Sequence, residues 1–109
     1  MKKLTVVYAS LLFLSSINVF ANPHYDEAIK HATAASQAGD TAQIIEHTLP
    51  ALEHTMSGAL TAKGLTKTHT DAATSALEKA LDLAKAKKSN EATASAKEAV
   101  EHLKAANKK

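Results

Sequence analysis

From Asn22 onward the apolar residues recur at intervals of three and four, and alanine fills most of those places. The run Ala42, Ile45, Leu49, Leu52, Met56, Ala59 is one such stripe, and Ala92, Ala96, Ala99, Leu103, Ala106 is another. Only an α-helix turns residues so spaced onto one face. Alanine supplies 21 of the 88 residues from Asn22 to Lys109. It is the strongest helix former and contributes little buried area, so a helical fold with a thin core and a stability of only a few kcal/mol is expected. No segment shows the alternation of a strand.

The helix ends are marked. Asn22 caps a helix with Pro23 in its first position, and Gly39 stops it near Ala38. Asp40-Thr41-Ala42-Gln43 reads as a capping box for a second helix that runs toward Ala62, with Gly64 as its stop. Pro50 lies inside and removes a backbone donor, which predicts a kink or break; Gly58 weakens the last turns. Gly64 to Lys67 reads as a loop, and Thr68-His69-Thr70-Asp71 as a capping box for a third helix reaching about Lys87. Ser89 caps a fourth that frays near Asn107. Short turns make neighbours antiparallel, so the expected fold is all-α, an up-down-up-down four-helix bundle over 22–109.

The first 21 residues belong to something else. Lys2 and Lys3 precede a mostly apolar run, and Val19 and Ala21 occupy the small-residue places of a cleavage site. This is the pattern of a secretory signal peptide cut after Ala21. The run is short and broken by serines, which argues against a membrane anchor. There is no cysteine to carry a lipid or a disulfide. A periplasmic location, with no membrane attachment after cleavage, is therefore expected.

After Ala21 eleven lysines balance eleven carboxylates. The span 22–64 carries two lysines against five acids and 65–109 nine against six, so the halves bear −3 and +3 and suit antiparallel attraction. There is no arginine, and Tyr25 is the only aromatic after the leader, which leaves no nucleic-acid footprint. No Ser/His/Asp or Cys/His arrangement and no Gly-rich phosphate loop points to an enzyme.

The chemistry lies in six histidines. Ile45-Glu46-His47-Thr48 returns seven residues later as Leu52-Glu53-His54-Thr55, and Ile29-Lys30-His31-Ala32 and Val100-Glu101-His102-Leu103 share the frame. At about 100° per residue His47 and His54 point away from the Ile45/Leu49/Leu52 stripe, and His31 and His102 lie about a quarter turn from theirs. All four are flank or surface residues. Two histidines seven apart are separated by about 10.5 Å along the axis, too far to share an ion. Chelation needs neighbours three or four apart, or a second helix. His24, Glu27 and His31 meet the first condition, as does Glu98 with His102. A hairpin centred on Gly39 meets the second by setting His31 level with His47 and His24 level with His54. The outward phase of the helix-two pair weighs against those rungs closing, unless Pro50 turns it back.

Asn22-Pro23-His24 is not a square-planar amino-terminal copper site, because that geometry needs the amide nitrogen of a residue that is here proline. Imidazole and carboxylate donors suit Cu(II), Ni(II) and Zn(II), with Cu(II) held most tightly. Met56 reads as seam packing rather than a soft ligand. His69 reads as polar filler near a helix start. The competing reading makes all the histidines polar filler on a bundle that binds other proteins as a periplasmic adaptor or chaperone.

DEAIKHA (Asp26 to Ala32), AQIIEHTLPALEHT (Ala42 to Thr55) and KEAVEHLKA (Lys97 to Ala105) resemble the small metal-binding protein family. That resemblance implies a periplasmic, histidine-rich, four-helix protein on a heptad repeat that binds copper and other divalent ions. It assigns the repeat histidines to His31, His47, His54 and His102. Family members carry more histidine; Lys79, Leu83 and Ser95 stand where more are accommodated, which implies a lower capacity here.

Overall fold

The computed structural model describes residues 22–108; the expected leader over 1–21, with its expected cleavage after Ala21, lies outside the described residues. Four helices follow in order, α1 (Pro23–Ser36), α2 (Thr41–Ala59), α3 (Gly64–Lys85) and α4 (Ser89–Ala106), and there is no strand among the described residues. Each helix packs on its sequence neighbour, α1 also packs on α4, and α2 and α4 touch only slightly across the diagonal. Asn107, just past α4, donates from Nδ2 to Asp26 Oδ1 of α1 at 2.8 Å, so these two helices run antiparallel. The molecule is the expected all-α up-down bundle, and among the described residues no helix is long and apolar enough to cross a membrane.

Several ends fall where the sequence marks them. Asn22 Oδ1 accepts from the His24 amide at 2.9 Å, and Asp40 Oδ1 from the Gln43 amide at 2.8 Å. Others differ. α1 ends at Ser36, two residues before Ala38, because the Gln37 amide already closes the last turn on Thr33 and Ala34 carbonyls. α2 ends at Ala59; Leu60, Thr61 and Ala62 continue only as tighter three-residue turns. Pro50 breaks nothing, and α2 runs through it as one helix. A single missing amide donor is tolerated where packing holds both flanking turns.

The third helix begins five residues before the expected start. Gly64 to Lys67 is helical, with Thr68 Oγ1 bonded back to Gly64 O at 3.3 Å and Asp71 paired to Lys67 at 2.8 Å. Thr68 and Asp71 therefore support a turn inside the helix instead of opening it. α3 ends at Lys85 rather than Lys87. Ser89 is likewise the first residue of α4 and makes no capping bond; Lys88 holds the cap position.

The largest correction is the buried face of α2. Ile44, Thr48, Ala51, Thr55 and Gly58 are buried, whereas Leu49 and Met56 are 49% and 54% exposed. The stripe is rotated by about one residue from the one that apolarity selects. Small residues win because α1 brings Ala28, Ala32 and Ala35 to the contact, all fully buried, and two such faces allow close approach of the backbones. Thr55 donates its hydroxyl to Ala51 O at 2.7 Å, whereas Thr48 Oγ1 is buried without a hydrogen-bond partner among the described residues. The stripe of α4, Ala92 through Ala106, is buried as expected.

The core is thin. Ile44, Leu77 and Leu103 are the largest fully buried apolar side chains among the described residues, and alanines fill the space between them. One end is sealed by Tyr25, whose ring lies on Gly58: a Cβ at Gly58 would meet Tyr25 Cε1 at 2.7 Å. The Tyr25 hydroxyl lies 2.7 Å from Thr70 Oγ1 and 3.3 Å from Gly58 O, and Thr70 Oγ1 lies 2.6 Å from Thr66 O. This lock joins α1, α2 and α3 beneath the histidines.

Candidate metal centre

The rotation of α2 decides the site. With Ala51 and Gly58 on the buried line, His47 and His54 lie on its flank and face α1 instead of solvent; both are half-buried. On α1, His24, Glu27 and His31 are three and four residues apart and share one face. The alanine contact brings the two flanks together. His24 Nδ1 lies 3.2 Å from His54 Nδ1. The His31 ring stacks on His54 with centroids 6.0 Å apart and planes within 3°, and lies 6.5 Å from His47. The two rungs expected from a hairpin about Gly39 therefore form, and His31 also reaches His54 diagonally.

Within this group Glu27, His31 and His54 each present one donor atom, and the three atoms lie within 4.8 Å of one another. The His31 Nε2 to Glu27 Oε1 separation is 3.9 Å. Bringing such a set to the distances of a divalent transition ion takes side-chain shifts on the order of an ångström. Two imidazoles and a carboxylate match the preferences of Cu(II), Ni(II) and Zn(II).

Electrostatics favour the ligand form of His31. Burial lowers its pKa below 6.5; the Glu27 carboxylate opposes this, while His54, His47 and Lys30 add to the lowering. The neutral ring, which alone coordinates, is thus favoured at neutral pH.

His102 stands apart from this group. It faces α3, where its Nδ1 lies 3.3 Å from His69 Nδ1. Glu98 is exposed on α4 and joins no metal-competent cluster among the described residues. So His24, Glu27, His31, His47 and His54 come together; Glu98 does not, and His102 pairs with His69 instead. A loop over Gly64–Lys67 places His69 at a helix start, where it reads as polar filler. With α3 beginning at Gly64 it sits in the second turn, facing His102 across the α3/α4 hairpin. Pairing about the α3/α4 turn at Lys87 sets His69 level with Ala105, about one turn beyond His102, so spacing alone does not select this pair.

A search of curated proteins finds no match to the chain. The family model described as "Small metal-binding protein" matches residues 1–106. With that match spanning nearly its whole length, the chain belongs to the small metal-binding protein family.

Proposed function

We propose that this protein is a periplasmic buffer or scavenger that takes up excess copper, and related divalent ions such as Ni(II) and Zn(II), at shallow histidine sites. The observation that carries the reading is the Glu27, His31 and His54 donor set, assembled from two helices and flanked by His24 and His47. The site is shallow: the Glu27 side chain is 45% exposed and that of His31 30%. An ion enters and leaves without a conformational gate, which suits storage and exchange better than permanent retention. Cu(II) is the expected preferred cargo because it heads the divalent series at nitrogen and oxygen donors. The leader pattern supports export to the periplasm.

The test is titration with Cu(II) at pH 7.5 and at pH 5, on the unaltered protein and on His31→Ala/His54→Ala. Imidazole must be neutral to bind, so affinity is expected to fall sharply between pH 7.5 and pH 5. The double variant should lose the tightest ion at pH 7.5. Equal affinity at both pH values would remove histidine from the account.

A further inference from the structure

We propose that His69 and His102 form a second ion site, bridging α3 and α4 and independent of the α1/α2 cluster. The inference rests on the metal-binding reading above and extends it to a pair of residues that the donor-cluster geometry leaves out. Its basis is a repeated arrangement. The His24/His54 pair has ring centroids 5.5 Å apart, planes inclined by 34° and Nδ1 atoms 3.2 Å apart. The His69/His102 pair has centroids 5.5 Å apart, planes inclined by 33° and Nδ1 atoms 3.3 Å apart. Each pair joins the first turns of one helix to the last turns of the next, so each hairpin carries the same device at its open end.

The separation itself is that of a chelate. Two zinc–nitrogen bonds of about 2.0–2.1 Å meeting at a tetrahedral angle place their nitrogens about 3.3 Å apart. Without an ion, two facing Nδ1 atoms fit only as one donor and one acceptor, a single weak exchange on a half-buried surface. With an ion both lone pairs point inward.

The two sites differ in what surrounds the pair. On α1, three and seven residues beyond His24, stand Glu27 and His31; on α3, three and seven beyond His69, stand Ala72 and Ala76. On α2, seven residues before His54, stands His47; on α4, seven before His102, stands Ser95, which is buried. The second hairpin keeps the pair and lacks the supporting donors. Its ion is therefore held by two imidazoles, with solvent completing the shell, and more weakly than the ion on α1/α2. The ligand class is a divalent ion that accepts tetrahedral nitrogen donors, for which Zn(II) is the probe.

Zn(II) binding is measured by native mass spectrometry and calorimetry at pH 7.5, with histidine ring resonances followed by NMR. Three proteins are compared: the unaltered chain, His24→Ala/His31→Ala/His54→Ala, and His69→Asn/His102→Asn. Asparagine keeps the half-buried positions polar, and far-UV circular dichroism confirms that helix content is unchanged. The triple variant is expected to retain one ion, with shifts at His69 and His102. The His69/His102 variant is expected to bind one ion fewer than the unaltered chain. If it binds as many ions with the same affinities, the second site does not exist, while the α1/α2 reading stands. If instead the triple variant alone matches the unaltered chain, the α1/α2 reading fails and the second site survives.

Discussion

His31 shows how one side chain's surroundings set its chemistry. It is the histidine that stacks on two others, and burial lowers its pKa below 6.5. In the unfolded chain the same imidazole takes up a proton near 6.5, so between that value and the lower folded one the unfolded state holds more protons. Stability contributed by keeping His31 neutral is thus present above 6.5 and is lost as pH falls through the folded pKa. The groups facing it from α1 and α2, Glu27, Lys30, His47 and His54, set the balance, with only Glu27 opposing the lowering. NMR titration of the ring is expected to give an apparent pKa below 6.5 in the metal-free protein, and Glu27→Gln should lower it further by removing that opposition. A midpoint at or above 6.5 would show that the carboxylate outweighs burial. None of this needed the fold to be suspected: the spacing of His24, Glu27 and His31 is legible in the chain. What spacing does not contain is the side of α2 that faces them. Thr48 and Thr55 are polar letters and fall outside an apolar stripe, yet they are fully buried because the contact selects for size.

At the scale of elements, two of the four helix beginnings fall where their caps mark them, and the beginning of α3 is the boundary read furthest from its place. Asn22 and Asp40 cap as expected because their short side chains have one favourable use at a helix start. Thr68 and Asp71 match a capping pattern equally well and are interior, since the turn before them forms anyway with Lys67 as partner to Asp71. A motif tells what a residue can bond, and the neighbouring turn decides whether it does. That misplacement is one reason the His69/His102 pair is not legible in the sequence; the other is that level pairing about the α3/α4 turn misses it by about one helical turn. The end of α3 carries a further consequence. Lys88 N donates to Leu83 O and Lys87 N to Ala84 O, both at 2.9 Å, the crossed pair that closes a helix around a left-handed residue. That residue is Lys87, with φ 66°, where glycine would be free of Cβ strain. Lys87→Gly is expected to stabilise the protein by roughly 1 kcal/mol, read as an upward shift of the urea midpoint with unchanged slope. A lower midpoint would mean that the lysine makes a compensating contact elsewhere.

Across the whole molecule the thin core and the histidines have a common logic. Alanine contacts let the helices approach closely, and close approach is what allows flank histidines on separate helices to meet. The same alanines bury little area, so the apo bundle draws modest stability from its interior. Both Nδ1 pairs lie at the open ends of their hairpins, away from the connecting turns, where separation of the helices would begin. An ion at such a place ties together chain ends that the turn does not hold, and it binds the folded state in preference to the unfolded one. At free ion a hundredfold above Kd, one such site adds about 2.7 kcal/mol. For a domain of this size that corresponds to a rise in Tm on the order of 10 °C. Scanning calorimetry with Zn(II) against the same protein in chelator is expected to show this rise, reduced in His31→Ala/His54→Ala. An unchanged Tm in saturating metal would mean that ions bind without bridging the helices, each imidazole acting alone, and the hairpin clamp would have to be abandoned even if binding itself were strong.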